Sequence, residues 1–65
     1  MNLDQKIANS VIDELRVSKI ANELEITPGA VSQWRVNGIP KDQKRYLKLV
    51  HPALKAWELE KENKE

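Results

Sequence analysis

Apolar residues in this chain recur at steps of three and four positions, the spacing that places side chains on one face of an α-helix. The clearest stripe consists of Leu3, Ile7, Ala8, Val11, Ile12 and Leu15. Asn2 precedes it and Gln5 follows three residues later, a pair that predicts a capping box at the start of a first helix. No segment alternates apolar and polar residues as a half-buried strand would, so the pattern predicts an all-helical fold.

Two further helices are predicted in the middle of the chain. The first of them carries the apolar stripe Ile20, Ala21 and Leu24. Ser18 precedes this stripe, and we expect its hydroxyl to cap the second helix. Thr27 and Pro28 mark the start of the third helix, because a capping side chain is followed by the residue whose fixed φ suits the first helical position. We expect this helix to bury Trp34 and to end near Gly38.

A fourth and a fifth helix complete the prediction. The fourth begins at Ile39-Pro40 and is expected to run to Val50. Its predicted apolar face consists of Tyr46, Leu47 and Val50. His51-Pro52 ends it, because the residue before a proline is pushed out of the helical region, and Pro52 itself can start a fifth helix. We expect Trp57 to pack on the first helix in preference to a partner's surface, and residues 58–65, rich in Glu, Lys and Asn, to fray.

The length and the amino-acid composition of the chain limit the functions that it can have. Sixty-five residues suffice for one domain, residues 1–65, because two hydrophobic cores cannot share so short a chain. The chain has no Cys, a single His and no glycine-rich phosphate loop, so we expect no enzymatic activity, no cofactor and no metal. No apolar run approaches the ~18 residues of a membrane span, and the first residues lack the shape of a signal peptide, which favours a cytoplasmic protein.

Charge is unevenly distributed along the chain. The whole sequence has 11 Lys and Arg residues against 10 Asp and Glu residues, a net charge of +1. Residues 31–48 alone contain five basic residues against one acidic residue, whereas the segments before and after them are acidic. The basic segment is either a solvated helix face or part of an anion-binding surface.

Residues 17–36 have the parts of a helix-turn-helix. Two short helices are joined by the tight connection Glu25-Ile26-Thr27, and in this motif the second helix enters the major groove of DNA. Apolar positions between the helices are filled by Ile20, Leu24, Ile26, Val31 and Trp34. The outer side of the second helix is left with short polar or slim residues, which are Thr27, Pro28, Gly29, Ser32, Gln33 and Val36.

The segment from Ile20 to Pro40 resembles the Cro repressors of lambdoid phages. The similarity is most specific in Ala30-Val31-Ser32-Gln33-Trp34 and in Gly38-Ile39-Pro40, and with looser matches it covers roughly residues 7 to 50. It implies a sequence-specific repressor that binds a palindromic DNA operator as a weak homodimer and blocks transcription. YdaS-like antitoxin and regulator proteins share the pattern, so the alternative is an antitoxin-like or other protein-interaction module on the same scaffold.

Two features depart from the family pattern. The family usually has Gly in the turn where this chain has Glu25, because that residue is generally held at positive φ, and a non-Gly residue there costs roughly 1 kcal/mol. Some family members continue into β-strands after the third helix, whereas residues 41–61 here have a helical pattern throughout. The resemblance therefore implies the all-helical branch, a small five-helix bundle with the lambda repressor-like DNA-binding fold.

The resemblance places one set of residues at the DNA surface. They are Thr27, Pro28, Gly29, Ser32 and Gln33. Gln33 is the strongest candidate for base recognition, because its amide can donate to N7 and accept from the amino group of one adenine. Ser32 can bond to a base edge or to phosphate, and Pro28 with Gly29 allows close approach to a thymine methyl group.

A second set of residues supplies contacts to phosphate. Thr27 and Ser18 stand at helix starts, where hydroxyl and backbone N–H groups bind phosphate. Positive charge comes from Arg35, Lys41, Lys44 and Arg45. Such contacts make binding strongly dependent on salt. Arg35 has an alternative partner in a carboxylate such as Glu23.

Overall fold

The structure, a computed structural model, describes residues 2–62, and these form five α-helices without a β-strand. The helices are α1 (Leu3–Leu15), α2 (Val17–Leu24), α3 (Pro28–Asn37), α4 (Lys41–Val50) and α5 (Ala56–Glu62). This confirms the predicted all-helical fold. Within the described residues, the longest helix is α1 with 13 residues, and no helix has the length and apolar character needed to cross a membrane.

Helix α1 forms the middle of the hydrophobic core, because it packs against α2, α3 and α5. The buried apolar residues are Ile7, Ala8, Val11, Ile12, Ile20, Ala21, Val31, Trp34, Leu47, Ala56 and Trp57. Full burial of one large apolar side chain contributes about 1.5–3 kcal/mol, so these few residues carry most of the stability of a chain this small. Val31 and Trp34 fix one side of α3 against α1 and α2, which leaves its other side exposed.

Two of the predicted helix starts are confirmed by their capping bonds. The Asn2 side chain accepts a hydrogen bond from the Gln5 backbone N–H at 2.8 Å, and the Gln5 side chain accepts one from the Asn2 N–H at 3.2 Å. This reciprocal pair is the capping box predicted for α1. At α3, the Thr27 hydroxyl accepts from the Ala30 N–H at 3.1 Å, with Pro28 as the first helical residue.

The predicted cap at Ser18 is wrong. Helix α2 already begins at Val17, so Ser18 is its second residue, and the N-cap is Arg16, which makes no side-chain capping bond. Arg16 has φ 78° and ψ 147°, a conformation that L side chains rarely adopt. It serves as the C-cap of α1 and the N-cap of α2 at once. Because α1 ends and α2 begins at this single residue, no position is left for Ser18 outside the helix.

The connection between α2 and α3 is a Schellman motif centred on Glu25. Glu25 has φ 58° and ψ 43°, the left-handed conformation. Its N–H bonds to the Asn22 carbonyl at 3.4 Å, and the Ile26 N–H bonds to the Ala21 carbonyl at 3.0 Å. These two bonds satisfy carbonyl groups at the end of α2, as the motif requires. Glu25 therefore adopts a conformation that favours glycine, and its Cβ atom makes this conformation energetically unfavourable.

Gly38 ends α3, and its environment explains why a glycine occupies this position. Its φ is 84°, and its N–H bonds to the Trp34 carbonyl at 2.8 Å. A Cβ atom added here would lie 3.0 Å from Cβ of Asp4, at the start of α1. The close approach of α1 to the end of α3 thus requires a residue without a side chain.

Helices α4 and α5 differ from their predicted forms. Leu47 is buried as expected, but Tyr46 and Val50 are 41% and 42% exposed, so the predicted apolar face of α4 is wrong for two of its three residues. The prediction that Pro52 starts the fifth helix is also wrong, because α5 begins at Ala56. Residues 58–62 of the segment predicted to fray are helical, and residues 63–65 lie outside the described residues.

Trp57 packs inside the protein, as predicted. It is 7% exposed, and its indole Nε1–H donates to the His51 carbonyl oxygen at 2.8 Å. This bond holds α5 against the end of α4, and it gives the polar atom of a buried tryptophan its partner.

Candidate nucleic-acid interface

The exposed side of α3 is short, slim and uncharged. Thr27 and Pro28 at its start, and Gly29, Ser32, Gln33 and Val36 along it, are all exposed. These are the residues that the sequence predicts for the outer side of this helix. A Cβ added at Gly29 would meet only the Thr27 hydroxyl, at 3.9 Å, so the surface is open there. Slim side chains on this side would let the α3 backbone approach another surface closely.

Gln33 has a hydrogen-bonding neighbour on the same helix. The Asn37 side-chain Nδ2–H donates to Gln33 Oε1 at 3.3 Å. This bond restricts the rotation of the Gln33 amide. It occupies one lone pair of Oε1, so the second lone pair and the Nε2 hydrogens stay available to a ligand.

Arg35 is held by α1. Its guanidinium donates to Asn9 Oδ1, and its Nη2 lies 3.3 Å from Asp13 Oδ1. Arg35 therefore has a carboxylate partner, which was the alternative to a phosphate contact, but this partner is Asp13 rather than Glu23. The two side chains are 42% and 71% exposed, and such an exposed pair contributes about 0–1 kcal/mol. The expected phosphate contact of Arg35 would have to compete with this pair.

Glu23 has a different partner, the only His of the chain. Its Oε1 lies 2.8 Å from His51 Nε2, and both side chains are about one-fifth exposed. The contact joins α2 to the residue that ends α4. Together with the Trp57 bond to the His51 carbonyl, it fixes the junction of α4 and α5 against α2.

Four cationic residues line a shallow depression of about 310 Å³ along α4. They are Lys41, Lys44, Arg45 and Lys48. Their spacing of three and four residues places them on one side of the helix. Lys41 and Arg45 are exposed and have no charged partner within the described residues. Sequence reasoning missed Lys48, although its spacing from Lys41, Lys44 and Arg45 was available as a signal.

Glu60 of α5 partly neutralises this depression. One of its carboxylate oxygens lies 2.9 Å from Lys44 Nζ, and the other accepts a hydrogen bond from Lys48. The Lys48 and Lys44 hydrogen bonds hold the pKa of the Glu60 carboxyl below its usual range. Lys48 also lies over the Trp57 ring, with its Nζ 5.6 Å from the ring centre. Local sequence patterns do not indicate this arrangement, because it depends on how α5 packs against α4.

A second groove, of about 610 Å³, runs between α1, α3 and α5, and its lining carries both signs of charge. Asp13 in it is paired with Arg35. Glu14 accepts hydrogen bonds from the Ser10 hydroxyl and from the Lys55 backbone N–H. Because Lys6, Arg35 and Lys55 line it together with Asp13 and Glu14, this groove favours no ligand of one charge.

Within residues 2–62, no group of three or more His, Asp or Glu residues is arranged to hold a metal ion. What α3 and α4 offer chemically is hydrogen bonding and positive charge. Comparison of the chain with family models, curated proteins and solved structures finds no match.

Proposed function

We propose that this protein is a sequence-specific DNA-binding repressor in which α2 and α3 act as a helix-turn-helix and α3 enters the major groove. The observation that carries the proposal is the pairing of two surfaces. The uncharged exposed side of α3 is followed in the chain, after three residues, by the basic side of α4. Base recognition needs the first kind of surface and phosphate binding needs the second.

Phosphate contacts would come from the start of α3 and from α4. Helix N-termini present unbonded N–H groups to anions, and Thr27 adds a hydroxyl at that end of α3. Lys41 and Arg45 are the best placed cations, because no carboxylate in the described residues competes for them. Lys44 would act only after Glu60 releases it. Ser18, exposed near the start of α2, could add a hydroxyl contact.

Base contacts would come from the exposed side of α3. Gln33 offers the amide that pairs with N7 and the amino group of adenine, and Ser32 offers a hydroxyl one residue away. Pro28 and Gly29 carry no hydrogen-bonding side chain, so close approach is their contribution. Repression would follow from occupying an operator in the cytoplasm and excluding RNA polymerase, without a chemical step.

The second copy needed for a palindromic operator would bind the exposed apolar residues of α4. One helix-turn-helix contacts few base pairs, and two copies a helical turn apart, ~34 Å, recognise an inverted repeat. Tyr46, Leu49 and Val50 are 41%, 77% and 42% exposed and lie on one side of α4. This exposed apolar surface also favours the second candidate function, a protein-interaction module, in which a different protein would occupy it.

Selection from a randomised duplex library, sequenced after binding at two salt concentrations, tests the proposal. We expect an enriched inverted repeat with half-sites about one helical turn apart, and weaker binding at the higher salt. Binding without any enriched sequence, or no binding at either salt, would overturn the repressor proposal. Association of the chain with a different protein through α4 would then support the interaction module.

A further inference from the structure

We infer that α3 selects A·T base pairs, through an adenine contact of Gln33 that Asn37 positions and a thymine-methyl contact of Val36. This inference rests on the proposed DNA-binding function and specifies the DNA that it would recognise. Three features of α3 support it. Arg35 is bonded to α1, the side-chain amides of Gln33 and Asn37 are hydrogen-bonded to each other, and Val36 is exposed.

The first observation concerns guanine. The commonest specific contact to guanine is a guanidinium or ammonium group that donates to O6 and N7. Arg35 is the only charged residue of α3, and it is bonded to Asn9 and Asp13 of α1. A guanine contact of this kind would therefore cost Arg35 its bonds to α1, and no other side chain of α3 carries a guanidinium or ammonium group.

The second observation concerns adenine. Asn37 Nδ2 donates to Gln33 Oε1, and this bond restricts the rotation of the Gln33 amide. Recognition of adenine needs one amide N–H donor and one oxygen acceptor side by side. Gln33 keeps both available after the Asn37 bond is made, because its oxygen has two lone pairs. Asn37 is thus a positioning residue, which limits the freedom that Gln33 would lose on binding DNA.

The third observation concerns thymine. Val36 is 65% exposed at the end of α3, on the same side as Ser32 and Gln33. Its backbone carbonyl accepts a hydrogen bond from Gln5 Nε2 at 2.7 Å, so α1 holds the last turn of α3 in place. A branched side chain on a fixed backbone presents its methyl groups in few orientations. An apolar group held this way suits the C5-methyl of thymine, which only A·T pairs carry into the major groove.

The two contacts have compatible spacing. Val36 lies three positions after Gln33, a rise of about 4.5 Å along the helix axis. Successive bases of a DNA strand are about 3.4 Å apart. If α3 lies along the groove, the two side chains face the same or neighbouring base pairs, so the predicted element is one or two adjacent A·T pairs in each half-site.

Modified bases test each contact separately in the operator recovered by selection. Replacing the contacted thymine with uracil removes only the methyl group, and we expect about fourfold weaker binding by the wild type. Val36→Ala should bind the thymine operator about fourfold more weakly and should not distinguish uracil from thymine. If the wild type and Val36→Ala lose the same affinity when uracil replaces thymine, the Val36 contact is wrong.

The adenine contact is tested with 7-deazaadenine, which lacks the N7 acceptor. We expect about fivefold weaker binding by the wild type and no further loss in Gln33→Ala. Asn37→Ala should lower the preference for A·T at this base pair while its affinity for non-specific DNA stays unchanged. An unchanged preference would show that Asn37 has no positioning role.

Failure of the inference is distinguishable from failure of the proposed function. If the selected operator carries G·C pairs where Gln33 and Val36 act, and both variants leave its affinity unchanged, the inference is wrong and the repressor proposal stands. If the wild type enriches no sequence, the repressor proposal itself fails.

Discussion

Glu60 binds Lys44 across the interface between α5 and α4, with a carboxylate oxygen 2.9 Å from the ammonium nitrogen. The second oxygen of the same carboxylate is hydrogen-bonded to Lys48. One acidic side chain thus engages two of the four cations in the basic depression of α4. Any DNA phosphate that approaches Lys44 would have to displace this carboxylate.

The first prediction is that Glu60→Gln strengthens DNA binding. The variant removes the negative charge that competes with phosphate for Lys44 and Lys48. We expect tighter binding to all sequences and a steeper dependence of affinity on salt, by about 0.9 in the logarithmic slope for each phosphate gained. Titrations of operator and unrelated duplexes at several salt concentrations measure both effects.

Glu58→Gln is the matched control for this experiment, because Glu58 is an exposed residue of the same helix. It changes the net charge equally but leaves Lys44 and Lys48 paired. If the two variants gain the same affinity, general electrostatics explains the effect and Glu60 has no special position.

The second prediction concerns the stability of the fold in acid. Hydrogen bonds from Lys48 and Lys44 lower the pKa of Glu60 in the folded chain. A carboxyl group with a lowered folded pKa stabilises the fold above its unfolded pKa and loses this contribution as the pH falls through the folded pKa. We expect the free energy of unfolding to fall below about pH 4.5, and to fall less in Glu60→Gln. Urea unfolding across this pH range measures the difference, and parallel curves for both proteins would contradict it.

The third prediction separates base contacts from phosphate contacts. Gln33→Ala should cost about 1–3 kcal/mol in operator binding and relax the preference at one base pair. Arg45→Ala should weaken binding to every sequence alike and lower the salt slope by about 0.9. Competition between operator and unrelated duplexes measures the two patterns. Equal losses on all sequences for Gln33→Ala would remove it from the base contacts.

The fourth prediction is that glycine at either strained position stabilises the protein. Arg16 and Glu25 have φ values of 78° and 58° without being glycine. A left-handed conformation costs an L residue roughly 1–2 kcal/mol, and glycine loses part of that gain through its greater freedom when unfolded. We expect Arg16→Gly and Glu25→Gly each to raise the free energy of unfolding by about 1 kcal/mol or less. Alanine at the same positions keeps the backbone strain, so Arg16→Ala and Glu25→Ala serve as controls in urea unfolding. If the alanine and glycine variants gain the same free energy of unfolding, strain is not the cause.

The fifth prediction concerns the exposed apolar surface of α4. Leu49→Asp should abolish self-association and weaken operator binding, with little change in melting temperature because Leu49 is 77% exposed. Sedimentation velocity at several concentrations measures the association. Ala53→Asp introduces the same side chain, with the same change in charge, at an exposed position outside α4, and it should leave the self-association unaltered. An unchanged dimer in Leu49→Asp would place the self-contact elsewhere.

Local signals in the sequence predicted much of the fold. The capping box of Asn2 and Gln5 and the Thr27-Pro28 start depend on residues a few positions apart, and both were confirmed. Ser18 is not the cap because α1 ends and α2 begins at Arg16, and residue type does not indicate that an arginine adopts a positive φ there. The tertiary structure holds this arginine at a positive φ, although that conformation is unfavourable for a residue with a Cβ atom.

Long-range contacts account for the rest of the differences. Residues 58–62, in the Glu- and Lys-rich end of the chain, are helical, and Glu60 among them is bonded to Lys44 and Lys48 of α4. Tyr46 and Val50 have apolar side chains at helical spacing, yet only Leu47 of α4 reaches the core. Periodicity identifies an apolar stripe, whereas the packing of neighbouring helices decides how much of it is covered.

The openness of the surface at Gly29 has a consequence for how such a protein could diversify. An added Cβ there meets nothing closer than 3.9 Å, so a larger side chain fits without disturbing the core. Replacing glycine within a helix also gains up to about 1 kcal/mol of helix propensity. One substitution at Gly29 could therefore change which ligand the protein prefers and leave the fold equally stable or more stable. The ligand preference could change in this way while the arrangement of the helices stays the same.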